Sequence, residues 1–451
     1  MPKRRVEKIR PQMTASINMQ ASITPVLRQD LRASFDDNVT NVEFRAMLNG
    51  GELVKIVVVD PYFTKFDKIM GSDYFRYSRD AQTGPLELST EMGWRNEDGG
   101  GKTLYLDEMK HVVVSMTPHG DTNLAYIELL AVDYPSYYLA GGDAGGGSYE
   151  GNVQSVIKEI VAKYSRRQLE VQFDTKTKDS KYNRWWEYRQ DPKSLILSLL
   201  EWSSSVTEHQ TRWLLWPDGK RLIIKEQADD QSQERSVYEW RGYGGDIKGT
   251  GDIREWEVIG DNALQLSQTQ LVTAGMSAVS GTYYDPKQFI KNMDKVFVGD
   301  PNTANKYKPS VPDDRGYTKP NPRANPLDNP LGWTMIPAIP EFSAGDMGMK
   351  YDQFVDGRAR GMYLAMVNAL ERIRVRVTGH SIWNGSEGLG VDTIRITITA
   401  SQDGAPPYFI AGNWLVYGFH HIATRGMWWT DLYCSRLDYD SDAKAVGNIF
   451  V

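Results

Sequence analysis

The chain has 451 residues, room for about three or four domain-sized units, so a single small fold is excluded. A hydrophobic fraction of 40%, with 13 Trp, 24 Tyr and 13 Phe, can fill real cores and excludes disorder as the main theme. The net charge of −6 leaves no overall footprint of a nucleic-acid binder, and the single cysteine, Cys434, excludes an intrachain disulfide or a multi-thiolate zinc site.

The richest apolar stretch, Leu195-Ile196-Leu197-Ser198-Leu199-Leu200, falls far short of the roughly 18 residues a membrane helix needs, so no membrane insertion is expected. Residues 1–11 carry five basic side chains and one acidic, with no apolar core after them, so they are not expected to act as a secretory signal.

In chain order, residues 1–34 are polar with weak periodicity and read as a basic N-terminal arm. Residues 35–140 are strand-rich. Val42 to Leu48 alternates, Asn49-Gly50-Gly51 is a turn signal and Leu53 to Val59 is a β-branched run, which together predict a hairpin. Further strands are expected at Leu104–Leu106, His111–Met116 and Leu124–Val132, separated by Gly-, Pro- and Asp-rich breaks. That spacing favours a small antiparallel β-barrel or sandwich over βαβ units.

The glycine-dense run from Gly141 to Ser148 marks a boundary, because glycine at that density costs too much entropy inside an element. An α+β domain over 148–251 follows. Val153, Val156, Ile157, Ile160, Val161 and Tyr164 share one face of a helix. A second helix starts where Asp191 can cap and Pro192 can occupy the first turn. Arg212 to Trp216, the turn Pro217-Asp218-Gly219, and Arg221 to Ile224 predict another hairpin.

Residues 252–285 return to strand character, with Trp256, Val258 and Ile259 and then Met276 to Tyr284, and read as the first strands of a second β-barrel. Residues 286–344 form an extended insertion: nine of the 21 prolines lie between 300 and 340, a content that excludes interior helix or central strand. Residues 345–443 supply a helix over roughly 354–372, striped by Met362, Met366, Leu370 and Ile373, and the rest of the second barrel; 444–451 is a tail. In Arg374-Val375-Arg376-Val377-Thr378-Gly379 the valines take one face and the arginines the other. Ile394, Ile396 and Ile398 share a face, and Trp414 to His421, a turn at Arg425-Gly426 and Trp428 to Arg436 complete the set. The fold class expected is mainly β with α+β, two small antiparallel β-barrels flanking an α+β domain.

Candidate chemistry is sparse. Glu97 to Thr103 ends like a phosphate-binding loop, yet Asn96 replaces its first glycine and strand rather than helix follows, so a hairpin loop is the expected reading. His420 and His421 are adjacent, point to opposite faces of a strand and cannot ligate one ion; one should be packed and the other solvated or at an interface. An axial metal formed by several copies stays open. There is no Gly-x-Ser-x-Gly elbow, Cys434 reads as a core residue, and no pair of carboxylates stands out for glycoside hydrolysis. The Trp185-Trp186-Glu187-Tyr188 cluster and Trp428-Trp429 fit core packing, a subunit contact or sugar binding.

The order of elements resembles the baseplate hub proteins of contractile-tailed phages, the late control protein D family and the hub part of type VI secretion spike proteins. The residues that carry the resemblance are Asn152 to Ile157, Trp213 before Asp218-Gly219, Val375 to Gly379, Gly412-Asn413-Trp414-Leu415-Val416, His420-His421, Gly426, Trp428, Thr430, Leu432 and Arg436. It covers roughly 37–285 and 345–440; the arm and the proline-rich insertion fall outside it.

The resemblance implies a ring-forming homotrimer that adapts a six-fold tail tube to a three-fold central spike. Two similar barrels per chain let three copies offer six surfaces, and open sheet edges would pair across subunits. Implied partners are the tail tube protein, the central spike protein, baseplate wedge proteins, the tape-measure protein and, transiently through the channel, DNA. The implied location is the virion tail baseplate, after synthesis in the host cytoplasm. No enzyme activity and no cofactor is expected. Trp414, His420, His421, Trp428, Trp429, Arg374 and Arg376 are the expected structural or interface residues. The rival functions are a tail-associated peptidoglycan hydrolase and a carbohydrate-binding receptor protein.

Overall fold

A computed structural model describes residues 16–27, 32–35, 38–66, 84–95, 104–120, 124–140, 147–165, 169–173, 181–187, 191–202, 213–226, 236–241, 252–259, 372–379, 393–398 and 410–438. Strand dominates them. The first run is β1 (Ser16–Pro25), β2 (Ala33–Ser34), β3 (Val39–Met47), β4 (Glu52–Val59), β5 (Leu86–Arg95), β6 (Leu104–Gly120) and β7 (Ala125–Val132). Next come α1 (Tyr134–Leu139), β8 (Gly147–Asn152), α2 (Val153–Tyr164), β9 (Glu170–Phe173), β10 (Lys181–Glu187), α3 (Pro192–Trp202), β11 (Trp213–Asp218) and β12 (Arg221–Glu226). The last run is β13 (Ser236–Trp240), β14 (Ile253–Val258), β15 (Arg372–Thr378), β16 (Thr393–Ile398), β17 (Gly412–Thr424) and β18 (Met427–Asp438). Thirteen of the strands form one sheet.

Local sequence explains most of these elements. In β4 the apolar positions Val54, Ile56 and Val58 are fully buried, as alternation requires of a half-buried strand. Asn49, in the left-handed region at φ 56°, turns β3 into β4, and its side chain accepts a bond from the Leu215 amide at 2.9 Å. Asn152 caps α2 by accepting from the Ser155 amide at 2.7 Å, and Val153, Val156, Ile157, Ile160 and Val161 are its buried face. Asp191 does the same for α3 through the Ser194 amide, with Pro192 in the first turn. β11, β12 and β9 make a three-stranded sheet, in which β9 runs parallel to β12.

Several expectations are corrected. Ser16–Pro25 is not part of an arm: it pairs with β5 along its whole length and buries Ile17, Met19, Ala21 and Ile23. The polar residues between these apolar ones diluted the composition without breaking the period of two. The strands expected at Leu104–Leu106 and His111–Met116 are one 17-residue strand, because a bulge absorbs the irregularity beside Val114. Ile373, the end of the expected helical stripe, lies in β15 and is buried there. β13 falls within the stretch assigned to the α+β domain but pairs in parallel with β16. The insertion at 286–344, the strand at Met276 to Tyr284, the helix expected over 354–372 up to residue 371, the loop at 97–103 and the tail at 444–451 lie outside the described residues; Arg372 itself begins β15.

One strand order occurs twice. Numbering the strands of each half by sequence, β1, β3, β4, β5, β6 and β7 are arranged second-third-sixth-fifth-fourth-first. β13 to β18 are arranged in the same way, as β14-β15-β18-β17-β16-β13. The register repeats too. In β6–β7 the pairs Val113↔Ala131, Ser115↔Leu130, Met116↔Leu129 and Thr117↔Glu128 match Val416↔Cys434, Gly418↔Tyr433, Phe419↔Leu432 and His420↔Asp431 in β17–β18, with the bulge at the same step. The bulge between Val39 and Asn41 against β4 likewise recurs between Ile253 and Glu255 against β15. The first strand is the exception: β1 runs antiparallel to β5, whereas β13 runs parallel to β16.

The two halves are joined through β17, whose Gly418 to Thr424 pair antiparallel with Asn41 to Met47 of β3. A single hydrophobic cluster therefore runs through both, from Ile23 and Val42 to Trp428 and Leu432. A second cluster is built by α1, α2, α3 and the β11–β12 hairpin against Val112. A buried hydrogen-bonded contact links it to the sheet: Glu52 Oε2 lies 3.0 Å from His111 Nε2 and accepts from the Gly219 amide at 3.1 Å.

Candidate functional site

The residues singled out in the sequence divide between two faces of the sheet. Trp414, His421 and Trp428 point inward and are buried. Arg374, Arg376, His420 and Trp429 lie on the outer face of β15, β17 and β18. The first three therefore pack within the chain, and only the second group can meet a partner.

On the inner side, the Trp414 indole donates to the Ile410 carbonyl at 2.8 Å. His421 Nδ1 lies 2.8 Å from the Thr430 hydroxyl and 3.3 Å from Trp428 Nε1. An indole N–H can only donate, so Nδ1 is the acceptor and the ring is neutral. Phe44 of β3 stacks on His421, and Phe419 packs at 5.0 Å from it. The fully buried Cys434 has its thiol pushed up by desolvation and is no nucleophile.

On the outer side, one cross-strand row runs Glu255, Arg376, Asp431, His420, Arg45 and Leu53 over six strands. Arg376 grips Asp431 with two bonds of 2.6 and 2.8 Å and reaches Glu255 at 3.1 Å. The Asp431 hydrogen bond raises the guanidinium further above its usual range, against the opposing effect of burial. Arg374 contacts Glu255 at 2.6 Å, Glu257 at 3.0 Å and Asp431 at 3.5 Å. Arg254 lies 4.2 Å above the Trp429 ring, and Arg45 lies 5.8 Å from Tyr433.

Burial pushes the His420 imidazole below its usual pKa, outweighing the attraction of Glu43 at 3.9 Å. The face continues through Lys55, paired with Glu128 at 2.8 Å. It is an alternating-charge surface on which Arg374 and Arg376 are paired with acids and Arg45 and Arg254 lie over aromatic rings.

A polar groove beside β1 and β5 gathers Arg32, Glu108, Lys110 and Lys220 around Glu87. Burial pushes the Glu87 carboxyl up, but bonds from Lys220 and the Tyr134 hydroxyl outweigh it and hold it below the usual range. Among the described residues no group of three or more His, Cys, Asp or Glu could hold a metal ion. No helix among them is long and apolar enough to cross a membrane.

Sequence reasoning missed Asp431, Glu255 and Glu257, the acids that meet the arginines. The alternation of Glu255 and Glu257 within Ile253 to Val258 was a readable signal, whereas the register of β14 and β18 against β15 was not. The side chains of Trp185 and Trp186 lie outside the described residues.

Among solved structures, the fold matches the tail protein from Neisseria meningitidis MC58 with a TM-score of 0.55 and 9% identity, over 93% of this chain and 97% of that one. It also matches the 43 kDa tail protein of prophage MuSo2 from Shewanella oneidensis with a TM-score of 0.50 and 11% identity, over 95% and 99%. No family model matches the sequence, and no curated protein matches it. At such identities the likeness is one of fold. This chain has the mainly β fold of these two tail proteins, over more than nine-tenths of its length.

Proposed function

We propose that this protein is a structural, non-enzymatic baseplate hub of a contractile phage tail. The observation that carries the reading is the strand order, with its registers and bulges, that occurs twice in one chain. In this reading each half is a small β-barrel, the second closed by the bridge Glu239↔Asp252 between β13 and β14, and the α+β unit lies between them. Three chains then offer six similar modules, enough to continue a six-fold tube on one side and seat a three-fold spike on the other. The partners are the tube, spike, wedge and tape-measure proteins, with DNA passing through the channel. The location is the virion tail. The outer charged face of β14, β15, β18, β17 and β3 supplies contact area.

Native mass measurement and negative-stain images of the protein with its tail tube test the proposal. A three-copy ring capping the tube is the expected result; a monomer that never joins the tube overturns it. Steady clearing of purified cell walls would favour a hydrolase, and binding on a glycan array would favour a receptor. The insertion at 300–340 is proposed to clamp a neighbouring chain, since proline lowers the entropy lost when an extended segment docks. Deleting it should lower particle yield without unfolding the sheet.

A further inference from the structure

The two halves meet through the fifth strand of the second, β17, and the second strand of the first, β3. The complementary junction would join the fifth strand of the first half, β6, to the second strand of the second half, β14. Within the chain this junction is not made. Among the described residues, β6 carries β5 on one edge only as far as Val112, and residues 113–120 are laddered with β7 alone. β14 is the terminal strand of the sheet path, touched beyond β15 by the bridge at Asp252.

Burial points to the same place. At the internal junction the inward residues Val42, Phe44, Phe419, His421 and Ala423 are at most 1% exposed. Their counterparts are Trp256, Val258, Met116, Pro118 and Gly120. Trp256, Val258 and Met116 are only half-buried, and Pro118 and Gly120 are exposed. Among the described residues, inward-facing positions thus stay partly or wholly exposed along both unmatched edges, whereas those of the matched pair are buried.

We infer that β6 of one copy pairs antiparallel with β14 of a second copy of this chain, in the register that β17 and β3 use internally. The equivalences set Pro118 opposite Val258, His119 opposite Glu257 and Gly120 opposite Trp256, as His421, Ile422 and Ala423 stand opposite Phe44, Glu43 and Val42. On the inner side the contact buries Met116, Pro118 and Val258. On the outer side it brings the His119 ring, already stacked on Tyr126 at 4.9 Å, against the Glu257 carboxylate. Pro118 offers no N–H, which blunts unspecific strand addition before assembly, and the ladder with β14 forgoes a bond from that position. The two patches differ, so the contact is head-to-tail and must close into a ring or run on as a filament. The inference deepens the ring reading above and rests on it only for the number of copies.

The test is a cysteine pair in the full chain, His119→Cys with Glu257→Cys, both on the outer face and away from buried Cys434. Directly opposed strand positions fall within disulfide reach. Oxidation should give covalent multimers ending at three copies, while either single variant stays uncrosslinked. Ile422→Cys with Glu43→Cys, the matching internal pair, should close within one chain and shows that the register permits the bond. As a second measurement, His119→Glu sets like charges opposite and should shift the assembly toward monomer with unchanged circular dichroism. If the internal pair closes and the intermolecular pair does not, while native mass gives three copies, the β6–β14 contact is overturned and the hub reading stands. Crosslinked chains that never close at three uphold the contact and overturn the three-fold ring. A protein that is monomeric at every concentration and never crosslinks overturns both.

Discussion

Trp94 of β5 stacks on Trp428 of β18, ring centroids 6.0 Å apart and planes inclined by 27°, so an aromatic pair spans the two halves of the sheet. Gly379 ties the pair together: its carbonyl accepts from Trp94 Nε1 at 2.8 Å and its amide donates to the Trp428 carbonyl at 2.8 Å. The seam between the repeats thus combines backbone pairing, ring contact and a hydrogen bond from a tryptophan of one half to the backbone of the other.

A side chain at Gly379 should damage this seam. A Cβ there would sit 2.2 Å from the Trp428 ring. Gly379→Ala is expected to cost about 1–3 kcal/mol by overpacking, and Trp428→Ala about 3–5 kcal/mol by leaving a cavity. Urea denaturation of both variants checks this; a Gly379→Ala midpoint equal to that of the parent would refute the close approach.

The buried Glu52–His111 pair should hold the β11–β12 hairpin to the sheet, since the same carboxylate oxygen accepts from the Gly219 amide. Removing the carboxylate takes the acceptor from both His111 and the Gly219 amide, so Glu52→Ala is expected to cost about 1–3 kcal/mol. Hydrogen exchange at the Gly219 amide should accelerate beyond that of the α2 amides. Uniform acceleration would mean the pair stabilises the whole molecule and not this contact.

Arg376 should matter through geometry as well as charge. It binds Asp431 through two nitrogens, and the Asp431 side chain is only 3% exposed. Arg376→Ala is expected to cost about 1–3 kcal/mol, with Arg374 at 3.5 Å limiting the loss. Arg376→Lys should recover only part of it, because an ammonium cannot reproduce the fork. Full recovery by lysine, read from denaturation midpoints, would reduce the contact to simple charge neutralisation.

Acidification should destabilise the protein partly through His420. Its folded pKa is depressed, chiefly by burial, so the unfolded chain takes up the proton first. The contribution of His420 is therefore complete above its unfolded value of 6.5 and is lost as pH falls through that value toward the folded one. Between pH 7 and pH 5 the melting temperature should fall more steeply for the parent than for His420→Gln. Parallel slopes would remove His420 as a contributor.

Much of the architecture was written locally. Alternation in Val42 to Leu48 and Leu53 to Val59, the turn at Asn49, the apolar face of α2 and the Asp191 cap with Pro192 each depend on residues a few positions apart, so one window of sequence carries them. The valine and arginine faces of β15 were legible for the same reason. What lay hidden was every choice between strands distant in sequence. Nothing near Phe44 announces that it will meet His421, and nothing near Arg376 selects Asp431 rather than another acid. β1 and β13 were misassigned because a strand's membership is decided by which edge accepts it, not by its own period. The duplication was expected only as two similar barrels on either side of the α+β unit; its strand register stayed hidden because equivalent positions hold unlike residues, Pro118 for His421 and Val57 for Arg376. What the halves share is backbone register and bulge position, and backbone hydrogen bonding is blind to the side chains that sequence comparison reads.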